Sequence, residues 1–236
     1  MIFVVANSKG GVGKSTIAVH LAVWLSEHGH SVSLADCDTQ YSSSEWLKEA
    51  APGIRYERLG SPEEILDRLR LLNQEADYVI ADGPGSNSEI SRALLLLADF
   101  AFVPCKASML EVRALAQATK VLRQVQEIRN GKPFSTIILS MVGKHYRLTA
   151  DMKDAAAALD MALADCMVSQ KQVYADAPGQ KAVVWNLGSR GKTAGREMTE
   201  LFEEILPFAG DGAAGQKKRK GAKTSANAKV PEIEQA

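Results

Sequence analysis

An apolar run at residues 1–6, MIFVVA, leads straight into a glycine-rich stretch, NSKGGVGKS at residues 7–15, and then into a segment of helical periodicity closed by Gly29. A strand, a loop with Gly10, Gly11 and Gly13, and a helix opening on Lys14 and Ser15 form an anion site: free backbone N–H groups and the helix N-terminus converge on phosphate. The glycines let the backbone approach closely, Lys14 reaches the β and γ phosphates, and the Ser15 hydroxyl can join a Mg²⁺ shell. Candidate nucleotide-binding residues are therefore Lys9, Gly10, Gly11, Val12, Gly13, Lys14, Ser15 and Thr16. The usual pattern G-x-x-x-x-G-K-[ST] asks for glycine at position 8, where this chain has Ser8, and Lys9 is an additional lysine inside the loop. A ligand-free tight connection is the plainer reading, but strand, loop and helix stand in the order that phosphate binding requires.

Short apolar runs at residues 2–6, 31–35, 78–81, 100–104 and 136–141 alternate with helical patterns at 15–28, 61–74, 88–98, 110–129, 149–165 and 193–206. Such alternation predicts a single α/β domain with a mostly parallel twisted sheet and helices on both faces, and the phosphate loop at residues 7–15 makes it a P-loop NTPase domain. Ser61, Pro62 and Glu64 predict a capping box with proline at the first helical position. With 236 residues, 46% of them hydrophobic, the chain can bury one sizeable core, placed at residues 1–209. Residues 210–236 lack aromatics and apolar periodicity and predict a disordered tail. Six basic residues there face three acids, so the balanced total of 28 basic and 28 acidic residues hides a positive tail and a negative body. Cys37, Cys105 and Cys166 form no C-x-x-C pair, which argues against a disulfide framework, zinc site or iron–sulfur scaffold and suits a reducing cytoplasm. No signal-peptide pattern opens the chain, and no run approaches the ~20 apolar residues of a membrane span. Trp24, Trp46 and Trp185 read as packing residues, and Cys37 as a buried small thiol.

Two acidic motifs follow apolar runs. LADCDTQ places Asp36 and Asp38 at a strand's carboxyl end, where ligands of open parallel sheets bind, and strand alternation predicts that both point to the same side. One carboxylate can hold Mg²⁺-bound water while the other positions the attacking water; a solvent-exposed acidic turn is the alternative. DYVIADGPGSN ends a hydrophobic strand in Asp82, the context of a metal-supporting carboxylate.

KGGVGKS with its early lysine, DCDTQ and ADGPG together resemble the deviant Walker A ATPases of the ParA/MinD superfamily, and most of all the small ParF-like plasmid-partition proteins. The resemblance covers roughly residues 1–206, with YSSSEWLKEA, GSNSEISRALLLLADFAFVP and SQKQVYADA as further matching segments. It implies ATP and Mg²⁺ as cofactors and ATP hydrolysis to ADP and phosphate. It also implies a homodimer formed on ATP binding, in which Lys9 extends to the partner's nucleotide. By the same resemblance Lys14 is the in-chain phosphate lysine, Asp38 orients the hydrolytic water, and Ser15 with Asp82 supports the metal, Asp36 assisting. Thr39 stands where that family usually has proline, which questions the local turn more than the chemistry. A cation supplied by a partner stabilises developing γ-phosphate charge in other NTPases, which gives Lys9 in trans a physical rationale.

Within the resemblance, cargo divides the members. Residues 216–230, QKKRKGAKTSANAKV, contain only Val230 as a large apolar residue, too little for a membrane-binding amphipathic helix. Lys217, Lys218, Arg219 and Lys220, with Arg190, Lys192 and Arg196 near the last helix, are instead candidate contacts for nonspecific DNA; a merely solubilising tail is the alternative. No segment precedes the first strand to carry a helix-turn-helix, which argues against sequence-specific operator binding by this chain. The resemblance implies a separate centromere-binding adaptor, no membrane, and a cytoplasmic, nucleoid-associated protein that segregates plasmid or chromosomal DNA. An alternative is a protein cargo, a chemoreceptor cluster or microcompartment, carried over the nucleoid. A metabolic ligase or reductase subunit of the same group is disfavoured by the absence of paired cysteines and of an evident substrate-binding insertion. The region after SQKQVYADAPG is a reasonable place for the adenine pocket.

Overall fold

The computed structural model describes residues 1–86, 88–106, 116, 119–143 and 149–206. Seven strands, β1 (Ile2–Val5), β2 (Val32–Asp36), β3 (Arg55–Arg58), β4 (Tyr78–Asp82), β5 (Phe100–Lys106), β6 (Phe134–Ser140) and β7 (Ala162–Leu163), form one sheet in the order β3-β2-β4-β1-β5-β6-β7. Every neighbouring pair is parallel. Helices cover both faces, as expected of parallel strands that are apolar on both sides. Phe3, Val5, Leu34, Ile80 and Phe102 point to one face, where α1 (Lys14–Glu27), α2 (Ser42–Ala50), α7 (Gln172–Gly179) and α8 (Gly188–Ile205) pack. Ile2, Val4, Ala35, Val79 and Val103 point to the other, covered by α3 (Pro62–Glu75), α4 (Glu89–Leu97), α5 (Lys120–Ile128) and α6 (Thr149–Ala158).

Local chemistry accounts for most boundaries. Gly29, at a φ of 88°, ends α1 in a Schellman motif: its N–H reaches Ser26 O (3.0 Å) and the His30 N–H reaches Leu25 O (3.2 Å). Ser61 Oγ accepts the Glu64 N–H at 3.2 Å, while the Glu64 carboxylate accepts from Gly60 N rather than from the cap's own N–H. Edge strand β3 is polar, and Arg68 pairs through two nitrogens with its Glu57, which guards the edge against further pairing.

Two expected helix boundaries change, and some elements were not expected. The helix expected across 149–165 stops at Ala158, because Asp160 adopts φ 51° and closes a second Schellman motif (Met161 N to Ala156 O, Asp160 N to Ala157 O, each 3.0 Å); the chain then enters β7. The last helix starts at Gly188, not 193, because its small residues let a 3₁₀ turn (Val184–Asn186) cross it closely. A Cβ on Gly191 would stand 1.7 Å from the Val184 carbonyl oxygen. Strand β3 and helix α2 carry no apolar run that announces them. The expected helix at 110–129 is met by α5; residues 110–115 and 117–118, and the tail with Lys217, Lys218, Arg219 and Lys220, lie outside the described residues. Among those described, no helix is long and apolar enough to cross a membrane.

Helix α1 is buried along its middle, and at its centre sits His20, fully enclosed beside Trp46, Tyr174 and Trp185. Its Nδ1 lies 2.7 Å from the Thr16 carbonyl, which can only accept, so Nδ1 carries the proton and Nε2 accepts the Val184 N–H at 3.1 Å. Burial lowers its pKa to about 4. The unfolded chain therefore takes up the proton first, and this group's contribution to stability is lost as pH falls from about 6.5 through about 4. His20→Phe, which orphans the Val184 N–H, should cost about 1–3 kcal/mol at neutral pH in urea unfolding. Its gap from the wild type should narrow at pH 5; a gap independent of pH would remove His20 from the acid limb.

Candidate functional site

Register brings the site together. Val5 of β1 pairs with Asp82 of β4, and Asp82 with Asp36 of β2, so three strands end level and the glycine loop leaves the sheet beside both carboxylates. The loop is fixed from below and from one side. Asn7 donates from Nδ2 to the Pro104 carbonyl (2.7 Å) and accepts the Lys9 N–H on Oδ1 (3.0 Å), while Ser140 Oγ donates to the Val12 carbonyl (2.7 Å). Gly11 and Gly13 take φ of 67° and 89°, values that side chains rarely adopt. On the β4 side, Gly85 packs so closely that a Cβ there would sit 3.1 Å from Gly10 Cα and 3.4 Å from Lys14 Nζ. This is the structural use of the second glycine in DGPG, which sequence reading did not assign.

Lys14 is buried, and its ammonium donates to the Lys9 carbonyl at 2.9 Å. Desolvation lowers its pKa, opposed by the charges of Asp82 and Asp38. Asp82 is fully buried, and neither carboxylate oxygen has a partner of normal hydrogen-bond geometry, nor does the buried Ser43 hydroxyl. Burial, reinforced by Asp36, pushes the Asp82 pKa up to about 7, even though the nearby Ser15 and Ser43 hydroxyls and Lys14 pull it down. Being close without hydrogen-bonding well, Ser15 and Ser43 leave a buried anion uncompensated, which costs free energy unless a cation neutralises it. A Mg²⁺ ion fits this donor set, since Mg²⁺ is commonly held by one or two protein oxygens with water and phosphate completing its shell.

Asp36 and Asp38 do not share a strand face as alternation predicted, because β2 ends at Asp36. Asp36 is buried and accepts the Ser44 N–H of α2's first turn (2.8 Å) and the Asp38 N–H (3.3 Å). Asp38 lies in the following turn, half-buried, its Oδ1 accepting the Gln40 N–H (3.0 Å). Thr39 does not prevent that turn, which closes through Tyr41 N to Asp38 O at 3.0 Å. Burial and the neighbouring Asp36 and Asp82 push the Cys37 thiol pKa up, as befits an inert buried thiol.

Gly13, Thr16 and Ile17 line one side of a cavity of about 250 Å³, and Val168 to Gln172, Tyr174 and Met198 line the other. Most of SQKQVYA thus borders the loop, ahead of the stretch expected to hold the adenine. Tyr174, Lys171 and Ser169 converge on Glu197 of α8, a network that joins residues distant in sequence. Of the candidate DNA contacts, Arg190, Lys192 and Arg196 all lie on α8, while Lys217, Lys218, Arg219 and Lys220 lie outside the described residues. Arg190 pairs with Asp176 (2.6 Å), and Lys192 and Arg196 lie one helical turn apart, Arg196 beside Glu200 at 3.8 Å.

Compared with known protein families, residues 3–184 match the CobQ/CobB/MinD/ParA nucleotide binding domain. The chain belongs to this family. It is 27% identical over 210 residues to the maintenance of carboxysome distribution protein A of Halothiobacillus neapolitanus, a match covering 86% of this chain and 95% of that protein. Protein ParA of Rhizobium radiobacter is 28% identical over 148 residues, covering 62% and 67% respectively. A Cyanothece McdA–ATP complex shares the fold, with a TM-score of 0.70 at 18% identity over 86% of this chain and 95% of that one. The family's P-loop ATPase fold explains why a loop, a buried carboxylate and an acidic turn sit at one sheet end.

Because the folded state holds the Asp82 proton up to about pH 7, this group loses the fold stability as pH rises toward that value, while cation binding needs the ionised form. Asp82→Asn without nucleotide should be at least as thermally stable as the wild type at pH 8. Wild-type affinity for Mg²⁺-nucleotide should fall as pH drops below about 7. A markedly destabilised Asn variant at pH 8 would show the carboxylate to be compensated by the fold itself.

Proposed function

We propose that this chain is an ATP-hydrolysing positioning switch: ATP with Mg²⁺ drives a homodimer that holds nonspecific DNA, and partner-stimulated hydrolysis releases it. The observation that carries this reading is the level register of β1, β4 and β2, which supports a phosphate loop, an orphaned Asp82 and the turn-borne Asp38 acting on one ligand. Gly10 to Thr16 supply backbone donors and the helix N-terminus, and Lys14 binds the β and γ phosphates. Ser15 and Asp82 hold Mg²⁺, with Asp36 assisting through outer water while its oxygens accept the Asp38 N–H and the Ser44 N–H. The ion offsets phosphate charge when bound. Asp38, half-buried and fixed by its turn, orients the attacking water, and Lys9 completes the partner's site.

For the cargo, DNA segregation with a centromere-binding adaptor is the first reading. A second, a protein assembly carried over the nucleoid, has comparable support: the likeness to the carboxysome distribution protein spans 95% of that protein at 27% identity, and the likeness to the chromosome partitioning protein ParA of Caulobacter vibrioides spans 93% of it at 23%. Either places the protein in the cytoplasm, on the nucleoid.

The test is an ATPase assay with and without nonspecific DNA and the product of the adjacent gene. Asp38→Ala should lose roughly 100-fold or more in turnover, the scale of a positioned general base, yet still dimerise with ATP. Normal hydrolysis by that variant would remove Asp38 from the reaction. Lys9→Ala should bind ATP but lose the partner-stimulated rate, and retention of full stimulation would refute the trans lysine.

A further inference from the structure

A third lysine stands at the phosphate loop. Strand β5 pairs with β1 as far as Phe102, opposite Val5, and then runs four residues further, to Lys106, alongside the loop. At about 3.3 Å per residue this carries Lys106 roughly 13 Å past the level where β1 ends. Two hydrogen bonds tie loop to strand on the way: Ala6 N–H to the Phe102 carbonyl (3.0 Å) and Asn7 Nδ2 to the Pro104 carbonyl (2.7 Å). At its tip, Lys106 is level with Ser140, whose hydroxyl holds the Val12 carbonyl. Lys106 Nζ consequently lies 4.0 Å from the point a Cβ would occupy on Gly11, at the exposed crown of the loop.

A lysine at a strand end is ordinarily a solvated surface residue. Lys106 differs because its ammonium stands over loop backbone and has no ion-pair partner among the described residues. Lys14 and Lys106 thus bring two cations to one short loop, an arrangement that favours a polyanion bound there. The other flank is closed by backbone, since Gly85 meets Gly10 there, so the β5 side offers the additional charge.

We propose that Lys106 is a phosphate-binding residue of the nucleotide site, contacting the polyphosphate chain of a nucleoside di- or triphosphate from the β5 side. The proposal rests on the nucleotide reading above. Its test is titration of the wild type, Lys106→Met and Lys106→Arg with ADP and with a non-hydrolysable ATP analogue, each with Mg²⁺. Loss of a charge-assisted contact predicts about tenfold weaker binding by Lys106→Met, a gap that narrows as salt is raised, and recovery of most affinity by Lys106→Arg. Nucleotide-free thermal midpoints should match across all three, as expected for a partly exposed side chain. If the wild type binds and Lys106→Met binds equally well, the Lys106 assignment alone fails. A loss that salt does not change and arginine does not restore would make Lys106 a structural residue and overturn it too. A wild type that binds neither nucleotide would overturn the nucleotide reading together with it.

Discussion

Parallel pairing of β1 with β4, and of β4 with β2, is the constraint on which the rest of this protein depends. Because Val5, Asp82 and Asp36 occupy one level, the chain must leave β1 directly above a buried carboxylate. A slip of one residue would turn the apolar faces of a strand over, and both faces of these strands are packed in cores. The hydrophobic burial that stabilises the sheet therefore also sets the positions of the reactive groups.

That placement is stabilised around the loop and left uncompensated beneath it. Asn7 and Ser140 anchor the loop to β5 and β6, and Gly85 braces its far side. Asp82 instead lies buried without a well-formed hydrogen bond, and Lys14 turns its ammonium to a backbone carbonyl. An arrangement of this kind favours a bound phosphate and cation, because both partners of the missing interactions arrive with the ligand. The His20 bridge from Thr16 to Val184 extends the same rigidity from the first turn of α1 to the segment that precedes α8.

Much of this was legible in residue order. Five of the seven strands are apolar runs, Gly29 ends α1 as expected, and the loop, Asp36, Asp38 and Asp82 all reach the same sheet end. Strand β3 escaped because an edge strand of Arg and Glu has no buried face on one side, and β7 because two residues carry no periodicity. The early start of α8 was hidden by glycines that read as loop but serve close packing against the 3₁₀ turn. The expected common face for Asp36 and Asp38 failed because a period of two applies only inside a strand, and β2 stops at the first of them.

The sequence by itself determined the local parts: a strand-to-helix phosphate loop, an extra lysine within it, carboxylates at strand ends, and helices with their caps, each set by groups a few residues apart. Tertiary structure alone decided how those parts cooperate. Asn7 meets Pro104, Ser140 meets Val12, Gly85 meets Gly10 and Lys106 rises beside Gly11, all across strands separated by long stretches of chain. Such pairings depend on strand order and register, which emerge from burying two apolar faces at once, and no local pattern encodes them.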